Sequence, residues 1–489
     1  MIHSFRQFDT LIVADVNSGA VHEVDEICFD IINVIDGILK GRKEDCASKQ
    51  KEYFNPAEDV VIEGTVLKKL KVKVLNDLSG KYEEEDLDEA FEEIEQLISD
   101  GQLFSEDIYK DYIPLWERES QIKALCLHIS HDCNLRCKYC FADTGSFGGK
   151  RINMTPEVGK AAIDFVVEAS GKRKNIEIDF FGGEPLINFN TVKEIVEYAR
   201  SLEKSCNKHF RFTITTNGLL LDDVKLKYIN ENMDNIVLSI DGRPEVNDSM
   251  RTRVDGSGCY DSILPKFIKT AEARNQEGYY VRGTFTGKNI DFSKDVLHLA
   301  DLGFKQISVE PVVAQDGCGY ELGQEHLAKL YEEYECLAME YNKRYDTDEW
   351  FNFFHFMVDL KQGPCVAKRL TGCGSGHEYV AVTPDGDIYP CHQFVGNEEL
   401  KMGSVFEGIK SADIQKQFKD SNVYTKEGCD VCWAKFYCSG GCPANAYNFN
   451  KDINKPYKMA CDLEKKRVEC SLWLYTQRNS YQEESKCDK

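Results

Sequence analysis

The chain has 489 residues, 42% of them hydrophobic, and a formal charge of −23. The length suits about three domains, the hydrophobic content excludes global disorder, and the acidic balance argues against non-specific binding to nucleic acid or anionic membrane. No basic-plus-apolar leader is seen in Met1-Ile-His-Ser-Phe-Arg-Gln-Phe8 and no run reaches membrane-spanning length, so a cytoplasmic protein with a basic or neutral peptide partner is expected.

Residues 1–105 read as a first unit. Phe8 to Val24 gives two apolar strands around Asn17-Ser18-Gly19, a hairpin turn signal. Asp25 then caps a helix whose apolar positions Ile27, Phe29, Ile31, Ile32 and Ile35 recur roughly at helical spacing. A lysine- and glutamate-rich middle follows, and a second amphipathic helix starts near Asp86 and stops at Gly101. This order resembles the recognition element of enzymes that modify ribosomally made peptides, where a leader adds a strand to the sheet edge. A winged-helix-like packing module without a ligand accounts for the same residues. Residues 106–122 form a polar linker, with Trp116 expected to dock it.

After the apolar run Ala124–Ser130, which reads as a buried strand, comes Cys133-Asn-Leu-Arg-Cys137-Lys-Tyr-Cys140. Three thiolates can hold three irons of a [4Fe–4S] cluster and leave the fourth open. A zinc site usually closes with four ligands, and this triplet has no nearby fourth; a zinc knuckle or three buried thiols is the bland alternative. The C-x3-C-x2-C spacing at the end of a first strand resembles the signature of the radical S-adenosylmethionine (SAM) enzymes. The resemblance implies that SAM chelates the open iron and that its reductive cleavage gives a 5′-deoxyadenosyl radical. Tyr139 matches the aromatic usual between the last two cysteines.

Further strands are expected at Ile176–Phe181, Phe210–Thr216, Ile236–Ile240, Tyr280–Phe285 and Gln306–Glu310, with helical patterns between them, as at Pro156–Ser170 and Val192–Leu202. Repeating β/α units predict an α/β fold with a parallel sheet. Six of them, over residues 123–345, suit the partial (β/α)6 barrel of the radical SAM family, whose site residues sit at C-terminal strand ends. Gly182-Gly183-Glu184-Pro185 closes one such strand, and in the family this motif binds the amino group of SAM; alone it would be read as a turn. Thr216 and Asn217 end the next strand, and Ser239 and Asp241 the one after. Their short polar groups suit ribose and carboxylate oxygens, while ordinary turn and cap chemistry explains them nearly as well. Arg253 is the candidate partner of the SAM carboxylate, with a surface ion pair as the alternative.

Twenty cysteines in a cytosolic chain point to metal rather than disulfides, and nine of them lie between Cys365 and Cys470. Cys373-x12-Gly386-x4-Cys391 is followed by Cys429-x2-Cys432-x5-Cys438-x3-Cys442 and then Cys461. A zinc ribbon would use only Cys429 and Cys432. The seven resemble the SPASM extension of radical SAM peptide-modifying enzymes, here assigned to residues 346–475 with a tail at 476–489. That resemblance implies two auxiliary [4Fe–4S] clusters, three in all. Cys373, Cys391 and Cys442 would hold the first, with Cys365 or a substrate thiolate as fourth ligand; Cys429, Cys432, Cys438 and Cys461 would hold the second.

Over nearly its whole length the chain resembles the thioether-forming maturases of six-cysteines-in-forty-five-residues (SCIFF) peptides. This implies a cysteine-rich precursor peptide with a leader, and an electron donor such as flavodoxin or ferredoxin. Anaerobic sulfatase maturases, which make formylglycine, are the rival; they place Asp after the cysteine of Gly-x4-Cys, where this chain has His392. A non-catalytic iron–sulfur or peptide-binding scaffold is the third reading.

Overall fold

The computed structural model describes residues 1–49, 65–113, 119–358 and 366–487. Trp116 and Cys365 lie outside the described residues. Three strands open the chain: β1 (Ile2–Gln7), β2 (Thr10–Asp15) and β3 (Val21–Val24), paired antiparallel in that order. The β2–β3 turn is the one expected at Asn17-Ser18-Gly19. Asp15 fixes it, accepting from Asn17 N at 2.9 Å and from Ser105 N and Oγ at 2.8 Å each, while Gly19 takes a φ of +80°. β1 was not expected. It turns into β2 through Phe8 at φ +53°, and an aromatic in the left-handed region carries no turn signature.

Helix α1 (Glu26–Lys49) starts where Asp25 accepts from Cys28 N at 2.8 Å. α2 (Thr65–Leu78) occupies the charged middle, where no helix was expected, and α3 (Glu84–Ser99) follows. Leu70 and Val74 of α2 pack with Ile31 and Ile35 of α1 and Phe91 and Ile94 of α3 into one apolar core. A short α4 (Ile108–Tyr112) precedes the main sheet.

The central run alternates as expected. β4 (Ala124–Ser130) leads through a small strand β5 (Leu135–Cys137) to α5 (Pro156–Ala169), which Thr155 caps with Pro156 in its first turn. Then follow β6 (Asn175–Gly182), α6 (Phe189–Cys206), β7 (His209–Thr216), α7 (Asp223–Asn232) and β8 (Asn235–Ser239). α8 (Pro244–Met250), β9 (Arg251–Arg253), α9 (Tyr260–Ala273), β10 (Tyr279–Phe285), α10 (Phe292–Asp301), β11 (Gln306–Pro311) and α11 (Leu327–Lys343) complete it. β4, β6, β7, β8, β10 and β11 lie side by side and parallel. Residues alternate between two faces along each strand. Ile176, Ile178 and Phe180 of β6 are buried on one face, with Phe180 stacked 5.7 Å from Phe212. Each buried aromatic of this kind contributes about 2 kcal/mol. Glu177, Asp179 and Phe181 fall on the other face, which stays partly open.

The sheet does not stop at residue 345. β12 (Asn352–Phe353) pairs parallel with β11, and after α12 (Val366–Thr371) strand β13 (Tyr379–Val382) pairs parallel with β4 at the opposite side. β14 (Asp387–Tyr389), β15 (Gly403–Ser404) and β16 (Gly408–Ile409) extend it antiparallel to eleven strands. The C-terminal segment is therefore continuous with the central sheet through backbone pairing. It goes on through α13 (Ala412–Asp420), α14 (Lys435–Cys438), α15 (Pro443–Asn450) and α16 (Lys458–Cys487), the last crossing the boundary expected at 475/476. α16 also braces the N-terminal sheet: Lys466 Nζ donates to Gln7 Oε1 at 2.9 Å, and His3 contacts Glu469 at 3.1 Å. His3 stacks on Trp433 with centroids 3.6 Å apart. No helix among the described residues is long and apolar enough to cross a membrane.

Candidate active site

Cys133 follows β4, and Cys137 ends β5, whose antiparallel partner is β9 with Cys137 opposite Arg251. Lys138 N donates to Met250 O at 2.9 Å and Cys140 N to Cys137 O at 3.2 Å, so the loop is anchored on both sides. Gly145 lets a second loop close in; a Cβ there would stand 2.9 Å from Cys133 Cβ. The three thiols lie in one another's fields. Burial pushes Cys133 up to about 11 and Cys137 to about 12, although Arg251 pulls both down. Cys133 and Cys137 stay protonated at neutral pH when free, so a metal must displace their protons to bind.

The strand ends converge on this triplet. Gly182 and Gly183 run so close to the β4 exit that Cβ atoms would come within 2.4 Å of Ser130 O and 2.3 Å of Asp132 O. Glu184 is buried and turned inward, accepting from Thr216 Oγ1 and Asn217 N at 2.8 Å each and from Leu186 N at 3.0 Å. Burial raises its carboxyl pKa, and these donors oppose the rise. Glu184 thus locks the ends of β6 and β7 together. Asn217 Nδ2 then reaches Asn134 Oδ1 at 2.8 Å and Cys133 Sγ at 3.6 Å. Tyr139 donates to Asp241 at 2.7 Å, and Ser239 stands half-buried at the end of β8.

Arg253 is not brought to the thiols: its Nε donates to Gly258 O at 3.0 Å and its Nη2 contacts Ser262 Oγ. Arg251 is. It is 7% exposed, donates to Tyr139 Oη at 3.0 Å, and has a buried Nε without a hydrogen-bond partner. Burial works against its charge, but Tyr139, Cys137 and Asp241 outweigh it. Burial raises the Asp241 carboxyl to about 6, with Arg251 and Tyr139 pulling it down. Sequence reasoning missed Arg251 because Met250-Arg-Thr-Arg offers two arginines, and only the long-range β5–β9 register separates them.

Beside the triplet, the open face of the sheet carries an aromatic wall. Phe141 and Phe181 lie 5.4 and 5.2 Å from the ring of His392, and His392 Nδ1 is 3.0 Å from Tyr379 Oη. Burial drops His392 to about 4, so its imidazole is neutral at neutral pH. Below this wall Arg282 Nη2 pairs with Glu310 Oε2 at 2.8 Å. Burial alone would raise Glu310, but Arg282, His355 and Arg467 bring it to about 2.

The C-terminal thiols fall into two sets. Cys391 is buried, with Cys442 and Cys373 as its thiol neighbours. Cys429, Cys432, Cys438 and Cys461 make the second set by the same criterion. Burial lifts Cys429 and Cys438 to about 11 each. Among the described residues, no three or more His, Cys, Asp or Glu converge on a point that would suit a single metal ion. Ligands of an iron–sulfur cluster bind separate irons and need no common point.

Residues 127–308 match the Radical SAM superfamily. The matched stretch runs from β4 into β11 and includes the three thiols. Proteins of the matched family use SAM and a [4Fe–4S] cluster, and three thiols beside a glycine-lined strand end and a buried guanidinium fit both. The chain is 25% identical over 380 residues to the radical SAM cyclopropyl synthase TigE of Paramaledivibacter caminithermalis, covering 71% of this chain and 74% of that protein. It is 25% identical over 348 residues to a cysteine-type anaerobic sulfatase-maturating enzyme of Clostridium novyi, covering 65% of this chain and 86% of that one. The structure of native anSMEcpe with bound AdoMet superposes with a TM-score of 0.61 at 19% identity, covering 73% of this chain and 99% of that one, which shows a shared fold. The chain is thus similar to radical SAM enzymes that modify peptides or mature sulfatases.

Proposed function

We propose that this enzyme is a peptide maturase that joins a cysteine sulfur to carbon within a ribosomally made, cysteine-rich precursor. Cys133, Cys137 and Cys140 would hold the radical SAM cluster, with SAM lying against Gly182–Gly183, Asn217 and Arg251. When bound, cluster and SAM supply a 5′-deoxyadenosyl radical able to take hydrogen from carbon. Cys373, Cys391 and Cys442 would serve a first auxiliary cluster, with Cys365 or a substrate thiolate completing it, and the four remaining cysteines a second. An electron donor of the flavodoxin or ferredoxin type would reduce them.

One observation carries the reading. Cys391 leads directly into His392, which closes the aromatic wall beside Phe141 and Phe181. The three-cysteine set is thus one residue along the chain from the wall that flanks the radical SAM triplet, which supports the reading. A sulfur delivered to that set would meet carbon activated next to it. His392 also stands where the sulfatase maturases carry their Asp, and a neutral imidazole with a pKa near 4 is a poor base. The chain's own part is thus to hold peptide between aromatic rings, with the Arg282–Glu310 pair beneath.

Anaerobic turnover with a candidate peptide tests this by mass spectrometry. The product should be two hydrogens lighter, with one cysteine no longer alkylatable. An aldehyde without a sulfur–carbon link would favour the formylglycine reading, and absence of SAM cleavage would favour a scaffold.

A further inference from the structure

Between the two C-terminal thiol sets lies a buried cation that the proposed chemistry leaves unused. Lys426 is 5% exposed. Its Nζ donates to Gly440 O at 2.7 Å and to Gly441 O at 3.4 Å. Those glycines belong to the short bridge from Cys438 of one set to Cys442 of the other. Ser439, Gly440 and Gly441 all take left-handed backbone, at φ +59°, +81° and +68°. The turn aims its carbonyls at the ammonium, and the lysine stem packs so closely that a Cβ on Gly440 would stand 2.9 Å from Lys426 Cδ.

The titratable groups facing this ammonium are thiols from both sets: Cys429 and Cys438 on one side, Cys373 and Cys442 on the other. Among the described residues no carboxylate forms an ion pair with it. Burying an ammonium costs several kcal/mol unless an anion answers it, and carbonyl dipoles offset only part of that. Deprotonated and metal-bound, both sets would be anionic, and the site would be balanced.

We infer that Lys426 is a shared electrostatic anchor, a positioning residue that holds the Cys438–Cys442 turn between two auxiliary clusters and raises the reduction potential of both. The inference rests on the reading that both sets bind clusters. A fixed positive charge favours the more negative, reduced state of each neighbour. Acting on both at once, it shifts the two potentials in the same direction and leaves the difference between them nearly unchanged.

The test is Lys426→Gln in the full chain, purified anaerobically with its clusters, which keeps hydrogen-bond donors and removes the charge. Iron content should match wild type. Redox titration followed by electron paramagnetic resonance should move both auxiliary midpoints negative by about tenfold in the reduction equilibrium, or about 59 mV for one electron. The cluster at Cys133, Cys137 and Cys140 should stay put and serve as internal reference. Full iron with unmoved auxiliary potentials, or equal movement of all three, overturns the inference alone. Wild-type protein holding only one cluster's iron overturns the reading and the inference together. Should Lys426→Gln lose iron, Lys426→Arg decides: restored iron with near-native potentials supports a role for the charge, and failure to restore it overturns that role.

Discussion

Around Cys133, Cys137 and Cys140 the fold is supplied by apolar strands, and the thiols sit on a loop at their edge. Ile178, Phe180, Phe212 and Ile214 belong to one large core that needs no ligand. Around Cys429 to Cys461 the order reverses. The apolar clusters there are small, with Cys391, Phe394, Leu400, Phe418, Ala444 and Ile453 in one and Val16, Leu370, Val423 and Phe436 in another. Left-handed turns, short helices and the first turns of α16 hold the rest. Where side chains make the core, thiols are free to serve chemistry; where the core is small, metal bound by the thiols would supply folding energy.

The largest expected effect separates the two regions. Replacing Cys133, Cys137 and Cys140 by Ala should abolish deoxyadenosine formation and remove about a third of the iron, at four irons per cluster, with the thermal midpoint nearly unmoved. Replacing Cys429 and Cys438 should also lose iron, and lower the midpoint by about 5–10 °C, the scale of a few kcal/mol in a domain of this size. Equal midpoint losses from the two sets would break the comparison. Next comes the arginine pair. Arg251→Met leaves Tyr139 and Asp241 without their buried cation and should slow SAM cleavage on the order of 100-fold. Arg253→Met should change it by less than about threefold, as expected of an exposed contact. Similar losses for both would show that the inner contact of Arg251 carries no special weight.

That contrast also marks what the sequence could convey. Strands β6, β7, β10 and β11 were legible to within a residue or so, because alternation and turn residues are local signals. Glu184 reads from the sequence as a candidate at a strand end, but its inward bonds to Thr216 and Asn217 do not, since they join two strand ends. Helix α2 hid in a charged stretch whose apolar face is only Leu70, Val74 and their neighbours. The joining of β13 to β4 was invisible, because no local pattern announces a pairing between residues 379–382 and 124–127.

The N-terminal sheet sharpens the comparison as a third case, an edge proposed to take the peptide leader. Asp15 N donates to Ala20 O at 2.9 Å. Antiparallel pairing alternates from there, so the N–H groups of His22 and Val24 face β2 and that of Glu23 faces outward. Glu23→Pro removes an outward donor while sparing the β2–β3 ladder. Leader binding should weaken by about tenfold, the worth of one or two backbone hydrogen bonds, with uncoupled SAM cleavage intact. Calorimetry with the full precursor checks it, and unchanged affinity would move the leader to another edge.

The smallest effect concerns the central sheet alone. Asp179, on the open face of β6, has a buried Oδ1 with no hydrogen-bond partner. Burial lifts its carboxyl from 3.8 to about 7, with Arg282 and Thr215 pulling against the rise. Between those two values the folded chain holds a proton that the unfolded chain has released. Stability from this group therefore rises as pH falls through 7 and levels off below about 4; above 7 the buried carboxylate is a burden. Asp179→Asn removes the burden, and Arg282 keeps its 2.8 Å partner Glu310. The variant should be more stable than wild type at pH 8 by about 1–2 kcal/mol, well below the full linkage value because the face is partly solvated. The gain should shrink steadily toward pH 4. Urea melts of the holoenzyme at several pH values measure this. A variant less stable than wild type at every pH would mean that Asp179 is held charged by Arg282, and that the open face is balanced by ion pairs in the absence of peptide.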